Sequence, residues 1–231
     1  MSIPADTPAA VMIFPCSTTR SLVGSAVQMW SRFIIDTGDW GGETADWVFN
    51  SGDAFDPNLN ISFIKAMQAA NTGQVAQSGQ YLEQFRSLKS ELEQILSGQE
   101  EQAPTDLLYL DRLAVMEQEL LAAIEMARGE KEQALRYARE ANRLEGDMPF
   151  SFGPPFVDLP SAEFLGELLL NARKYTDAVS AFETQLERTR LRTAPLEGLS
   201  RAHAKLGNEA EAQYAREKLR LIRHGTDPVG Q

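Results

Sequence analysis

The amino-acid sequence predicts an all-α protein, built as an α-solenoid of about five antiparallel helical hairpins. Apolar residues recur with helical spacing from Ser21 to Arg223, and short breaks that contain Gly, Pro or Asp interrupt them. No stretch shows the sustained two-residue alternation of β-branched side chains that is typical of strands. The segment from Leu159 to Ile222 also matches itself when it is shifted by 34 residues, which is typical of stacked helix-turn-helix repeats.

The periodicity divides into ten predicted helices. Their approximate bounds are 21–36, 40–50, 59–71, 74–96, 105–128, 131–144, 160–172, 175–189, 194–206 and 209–223. Gly38, Gly73, Gly129 and Gly207 each lie in a tight break between two helical patterns, where a residue with positive φ can close the first helix. The turn of the fourth hairpin has no glycine, and we expect Asn171 to take the left-handed conformation there.

Small residues recur where paired helices have to approach each other. Ala178 and Ala212 are related by the shift of 34 residues, and the third hairpin has Ala134 and Ala141 in its second helix. Because these side chains are short, they allow the two helices of a hairpin to pack closely.

The pattern resembles the tetratricopeptide repeat, in which Leu-Gly and aromatic positions on the first helix precede a small Ala and an aromatic on the second. The matching residues are Leu165, Gly166, Leu169, Tyr175, Ala178, Phe182, Leu196, Leu199, His203, Gly207 and Ala212. The departures are Ala162 in a large position, Arg190 in the proline position and Arg216 in an aromatic position. The resemblance implies a TPR-like superhelix with a concave groove that binds other chains.

From Gln28 onward, the chain also resembles the C-terminal half of a family of larger, uncharacterised bacterial tetratricopeptide proteins. The residues that carry this resemblance are Asp36-Thr37-Gly38-Asp39-Trp40, Phe152-Gly153-Pro154-Pro155 and the last two hairpins. The resemblance implies further repeats upstream of the point where this chain starts. It implies no reaction and no substrate.

We expect four regions along the chain: a disordered leader (1–19), divergent helical hairpins (20–104), TPR-like repeats (105–224) and a disordered tail (225–231). In the second region, Trp30, Trp40 and Trp47 are expected to do the packing. The leader lacks the charged start and the long apolar stretch of a secretory signal, so a complete chain would be cytoplasmic. No apolar run is long enough to predict a membrane span.

The net charge of -11 argues against nucleic acid as a partner, because neutralising phosphates requires a basic surface. The charge is uneven, since residues 187–224 carry nine Lys or Arg against five Glu. This C-terminal part is the one plausible binding region for an acidic partner. It also fits an ordinary solvated helix face with interleaved charges.

A Phe- and Pro-rich insert (146–158) separates the third and fourth hairpins and exceeds the 34-residue register by about ten residues. Its phenylalanines, Phe150, Phe152 and Phe156, are unfavourable in water and should be buried. Two hypotheses remain open. The insert plugs the groove of its own solenoid, or it anchors a partner or a second subunit.

An apolar seam runs along the second helix of the second hairpin, with spacings of four and three residues. Its members are Tyr81, Phe85, Leu88, Leu92 and Ile95. Leu113, Leu120 and Ile124 on the next helix form a weaker counterpart, broken by Glu117. We interpret the two as an antiparallel pair within the chain. A coiled-coil homodimer is the alternative.

The first helix of each tetratricopeptide hairpin lines the concave groove, so the resemblance implies a partner-binding surface on the last two hairpins. Its residues are Glu163, Glu167, Asn171, Glu197, Arg201 and Lys205. Side chains four apart on one helix face form a short polar row that can bind a peptide. The alternative is an ordinary solvated row in which Glu197 pairs with Arg201.

The sequence offers no catalytic constellation. The two histidines and the single cysteine are widely separated, which gives no metal-ligand spacing and no nucleophile-base pair. His203 occupies an aromatic position of the repeat and is expected to be packed and hydrogen-bonded. We therefore predict a non-enzymatic scaffold that binds a protein or peptide, without catalytic residues, metal or cofactor. The alternatives are a structural homodimer subunit, or an enzyme or small-molecule-binding protein whose groove is lidded by the loop from Phe150 to Phe156.

Overall fold

A computed structural model describes residues 22–98, 103–149 and 157–224 of the chain. Within these ranges the protein has nine α-helices, one short 3-10 helix and no β-strand, which confirms the all-α prediction. The α-helices are α1 (Leu22–Thr37), α2 (Phe55–Asn71), α3 (Val75–Ser97), α4 (Pro104–Arg128), α5 (Lys131–Asp147), α6 (Ser161–Asn171), α7 (Tyr175–Arg188), α8 (Thr193–Leu206) and α9 (Glu209–His224).

The predicted helix over 40–50 is wrong. Only a single 3-10 turn forms there, at Glu43–Asp46, and the chain leaves it in an extended conformation at Trp47. Two consecutive glycines, Gly41 and Gly42, precede the turn and disfavour a longer helix because they lose the most backbone entropy on ordering. The first predicted hairpin is therefore one helix, α1, followed by a turn whose Thr44 carbonyl accepts a 2.8 Å hydrogen bond from Trp30 Nε1.

Eight of the helices form four consecutive contacting pairs: α2 with α3, α4 with α5, α6 with α7, and α8 with α9. The first helices of the pairs also contact one another in order, α2 with α4, α4 with α6 and α6 with α8. Each of α3, α5 and α7 contacts the first helix of the following pair. Helix α1 packs on α2. Every pair after the first therefore rests on both helices of the pair before it.

The same turn closes the first helix of every pair. At its end one residue has positive φ, and the next backbone N–H donates to a carbonyl five residues earlier, at 2.7 to 3.0 Å. The positive-φ residues are Gly73, Gly129, Arg173 and Gly207. The expectation that Asn171 takes the left-handed conformation is wrong, because Asn171 is still helical and Arg173 adopts φ 60°. Arg173 lies 34 residues before Gly207 and takes its place in the repeat.

The buried side chains divide into clusters along the array. The first cluster joins α1 to α4 through large residues such as Trp30, Phe63 and Phe85. The second joins α4 to α9 and consists mainly of alanines and leucines around Phe182. The expected close-approach alanines are all fully buried: Ala134, Ala141, Ala178 and Ala212. Of the three tryptophans predicted to pack the first region, Trp47 remains about half exposed.

Phe182 on α7 occupies a space that two glycines leave open. Its ring is fully buried, and a Cβ atom at either Gly166 on α6 or Gly198 on α8 would overlap it. The two glycines therefore let one aromatic ring fill the junction between three helices.

The apolar seam of α3 is used inside the chain. Tyr81, Phe85, Leu88 and Leu92 pack into the first cluster, which α2 and α4 also build, and Ile95 is the member left 48% exposed. Glu117, which interrupts the seam on α4, accepts 2.8 Å hydrogen bonds from Arg86 and Lys89 of α3. The interpretation of α3 and α4 as a pair within the chain agrees with these contacts.

Some predicted regions lie outside the described residues: the leader (1–19), the tail (225–231) and the centre of the insert with Phe150, Phe152 and Phe156. The described edges of the insert are Met148 and Val157, which are buried together in a third small cluster. No helix in the described ranges has the length and apolar character needed to cross a bilayer.

The strained turn gives a first prediction. Because a side chain at φ 60° is unfavourable, Arg173→Gly should raise the free energy of unfolding by about 0.5–1 kcal/mol. The neighbouring Ala172 has φ -82°, so Ala172→Gly should instead lower it by a similar amount. Urea denaturation followed by circular dichroism measures both. Destabilisation by Arg173→Gly would contradict the left-handed assignment.

The glycine contacts of Phe182 give a second prediction. Gly198→Ala should lower the free energy of unfolding by about 1–3 kcal/mol, because the added methyl group overlaps the ring. The loss should shrink in a Phe182→Leu background, which makes the two substitutions non-additive. Gly79→Ala is the matched control, since a Cβ atom there meets nothing within 4 Å, and it should stabilise α3. Equal effects of the two Gly→Ala changes in denaturation would rule out the tight contact.

Candidate functional site

The predicted partner-binding residues lie on α6 and α8, the first helices of the last two pairs, which contact each other. Their side chains differ widely in exposure and in the partners that they bind. The six residues therefore fall into three groups: one that is buried, one that is exposed and ion-paired, and one that is exposed without a side-chain partner among the described residues.

Glu163 belongs to the buried group. Its carboxylate accepts hydrogen bonds from Arg192, at 2.5 Å from Nε and 3.2 Å from Nη2, and the same Nη2 donates to Asp36 at 2.9 Å. Burial raises the pKa of Glu163, although Arg192 opposes the shift. These contacts join α1, α6 and the start of α8, so Glu163 stabilises the fold and is not open to a partner.

Three of the other charged members, Glu167, Glu197 and Arg201, pair across helices. Glu167 on α6 binds Arg201 on α8, and both side chains are more than a third exposed. Glu197 binds Arg223 on α9. The predicted alternative pairing of Glu197 with Arg201 is wrong, because each of the two residues has a partner on a different helix.

Asn171 and Lys205 form the third group. Each lies in the last turn of its helix, Asn171 on α6 and Lys205 on α8, and both are exposed. Neither makes a side-chain hydrogen bond or an ion pair within the described part of the chain. Together with Glu167 and Arg201 they make one exposed polar strip, which we call the α6–α8 strip.

A buried polar cluster that the sequence analysis missed lies where α1, α2 and α4 meet the segment before α6. The Asp158 side chain is only 3% exposed and accepts a 3.0 Å hydrogen bond from Arg32 Nε on α1. Arg112 Nη2 on α4 lies 3.7 Å from the other Asp158 oxygen and donates to Asn60 Oδ1 at 2.7 Å. Asp56 on α2 accepts from Arg112 Nη1 at 3.1 Å. Asp158 is thus bound by charge to α1 and α4, and Arg112 also binds α2.

A second missed group is the buried carboxyl of Glu119. Its Oε1 accepts a 2.9 Å hydrogen bond from Ser161 Oγ, and among the described residues its Oε2 has no hydrogen-bond partner. The backbone N–H of Ser161 donates to Glu145 at 2.6 Å. Complete burial raises the pKa of Glu119 well above its ordinary value, and the nearby charges of Glu145 and Asp158 raise it further. The neutral form is therefore favoured in the folded protein.

One sequence signal could have revealed both groups. Arg112 and Glu119 are seven residues apart on α4, and Met116 and Ala123 lie on the same apolar stripe. A charged residue within a buried helical stripe requires a polar partner from another element. Periodicity locates such residues, but it does not reveal that the partners come from α2 and from residues 158 and 161.

His203 is half-buried, and its Nδ1 lies 3.5 Å from Asn208 Nδ2. It lines an open cleft of about 630 Å³ between α7, α8 and α9, together with Glu183, Tyr214 and Lys218. The predicted tightly packed histidine is thus only partly correct. The alternative groove with Glu163, Glu167 and Arg201 gains no support, because those residues are bound to Arg192 and to each other.

Across the described ranges, no three His, Cys, Asp or Glu residues are grouped closely enough to hold a metal ion. Comparison of the chain with protein-family models, with curated proteins and with solved structures finds no match. Functional inference therefore rests on the geometry of this molecule.

The buried carboxyl of Glu119 gives a third prediction. Because its pKa is raised in the folded state, that state holds more protons than the unfolded chain once the pH exceeds the ordinary glutamate value. This contribution therefore lowers stability as the pH rises. Glu119→Gln has nearly the shape of the protonated side chain and cannot ionise. The free energy of unfolding of the variant minus that of wild type should therefore increase between about pH 4.5 and pH 8.

Denaturant titrations at several pH values measure this difference. Glu91→Gln, at an exposed position on α3, is the control for replacing a carboxyl group with an amide. A constant difference for Glu119→Gln would show that Glu119 does not titrate differently in the folded and unfolded states.

Proposed function

We propose that the protein is a tetratricopeptide-like α-solenoid that binds a protein or peptide partner and performs no chemistry. The proposal rests on which helices contact one another along the chain. Four consecutive pairs stack so that α2, α4, α6 and α8 contact one another in sequence. Stacking of this kind produces a continuous surface of first helices, which repeat proteins use to bind extended partners.

The repeated turn supports the same architecture. All four pairs use one backbone closure, and in the last two pairs it recurs at the 34-residue spacing. Ala178 and Ala212, one repeat apart, are both fully buried. The outward positions of α9 instead carry charges, with Arg216 bound to Glu209 and Arg220 bound to Glu217. Such a polar face is suited to end a stack.

The α6–α8 strip is the part of the first-helix surface that we assign to the partner. Upstream of it, α1 packs on α2, and its Arg32 and Asp36 bind Asp158 and Arg192. These two charges of α1 are therefore paired within the chain. In the strip, Arg201 and Lys205 are exposed cations in the net-basic C-terminal part of an otherwise acidic protein. An acidic peptide segment complements this surface.

Selection from a displayed library of random peptides tests the proposal. Acidic peptides should be enriched on the wild-type protein, and a variant with Arg201→Glu and Lys205→Glu should bind them at least about tenfold more weakly. The control carries Lys131→Glu and Arg136→Glu on exposed positions of α5, with the same change in net charge, and should bind like wild type. Circular dichroism verifies that all three proteins are folded.

Two outcomes would contradict the proposal. One is a selection that enriches no peptide on the wild-type protein. The other is equal weakening by both pairs of substitutions, because it would show that only net charge matters and that the strip is not the binding surface.

A further inference from the structure

A second surface, away from the α6–α8 strip, carries features of a ligand site. A cleft of about 390 Å³ lies between the turn at residues 40–46 and the α2–α3 pair. Its lining includes Trp40, Asp46, Lys65, Gln68, Gln77 and Tyr81. The volume is within the range of small-molecule sites, which begins at roughly 300 Å³. We call it the Lys65 cleft.

Lys65 is a half-buried cation without a paired anion. Its Nζ donates a 2.5 Å hydrogen bond to the carbonyl of Ala45 and lies 5.6 Å from the centre of the Trp30 ring. It makes no ion pair within the described residues, whereas Lys89, also partly buried on the next helix, binds Glu117 at 2.8 Å. Burial lowers the pKa of Lys65, and the charge of Asp46 opposes that shift in part. The ammonium therefore has a carbonyl partner but no ion-paired carboxylate among the described residues.

Holding the 3-10 turn uses only part of the hydrogen-bond donors of Lys65. The 3-10 turn is already held by Trp30 Nε1, which donates to Thr44, and by Gln68 Nε2, which donates to Ala45 at 3.2 Å. The Lys65 bond to Ala45 uses one of the three ammonium donors. Lys65 also lines the cleft, so its remaining donors are placed to meet an incoming acceptor.

The other side chains that line the Lys65 cleft indicate which groups a ligand would carry. Trp40 and Tyr81 are both partly buried and supply aromatic surface, which favours a flat apolar group. The Gln68 and Gln77 side chains supply neutral amides that can donate to a carboxylate without adding charge.

We propose that the Lys65 cleft binds a carboxylate carried on an aromatic group, with Lys65 as the paired cation and Trp40 and Tyr81 beside the ring. A charge-assisted hydrogen bond between the ammonium and the carboxylate is stronger than a neutral one and compensates the buried charge. The carboxylate could belong to a free small acid or to the C-terminal residue of a peptide. This inference is independent of the proposed function, because no residue of the α6–α8 strip lines the cleft.

Isothermal titration with benzoate tests the proposal, with benzamide and benzylamine as neutral and cationic probes of similar size. Benzoate should bind with a dissociation constant of roughly 1 mM or tighter. Benzamide and benzylamine should bind at least about tenfold more weakly. In a ¹H–¹⁵N spectrum, the indole N–H signal of Trp40 should shift on addition of benzoate. A short peptide ending in Phe, compared with its C-terminal amide, shows whether a peptide carboxylate is also accepted.

Three variants test whether benzoate binds in the Lys65 cleft. Lys65→Met should abolish benzoate binding, and Lys205→Met on the α6–α8 strip should leave it unchanged. Gln77→Glu supplies an internal carboxylate beside Lys65 and should weaken benzoate at least about tenfold, which keeps the test decisive if Lys65→Met fails to fold. The proposal is overturned if neither carboxylate probe binds, if benzamide binds as well as benzoate, or if Gln77→Glu has no effect.

Discussion

The structure depends on the buried carboxylate of Asp158, which two arginines from different helices share. Arg32 reaches it from α1 and Arg112 from α4, and Arg112 also binds Asn60 and Asp56 on α2. The neighbouring residues Val157 and Leu159 enter two different apolar clusters. Because an unpaired buried charge is strongly unfavourable, the arginines fix where the chain returns from the insert and where α6 begins. The last two helix pairs are placed by this junction.

The charged residues near this junction are of two kinds: some are buried in ion pairs that stabilise the fold, and others remain exposed. Glu163 is one of the predicted partner-binding residues, yet with Arg192 and Asp36 it closes a contact between α1, α6 and α8. Exposed groups remain farther along α6 and α8, where Asn171 and Lys205 have no described side-chain partner. Lys65 differs from both groups, because it is half-buried and lacks an anion in a cleft with aromatic walls. The two proposed binding surfaces therefore have different physical origins.

Sequence reasoning succeeded where one residue type and one spacing decide the structure. Gly129 and Gly207 close helices as predicted, and the alanines expected at close helix contacts are fully buried. It failed where a neighbouring element outweighs local preference. Arg173 adopts the left-handed conformation in a turn that has no glycine. Besides the local effect of Gly41 and Gly42, the 3-10 turn within residues 40–50 is held by hydrogen bonds from Trp30 and Lys65, which local propensity does not contain.

By itself, the sequence determined the helical class, the positions of most helices and the small residues that let them pair, because these follow from spacing along one chain segment. Only the tertiary structure decided which charges are buried. The partners of Asp158 and Glu163 are separated from them by 126 and 29 residues, and periodicity carries no information about such distances. The exposure of the α6–α8 strip and the Lys65 cleft likewise follows from how the helices pack, which spacing along the sequence does not encode.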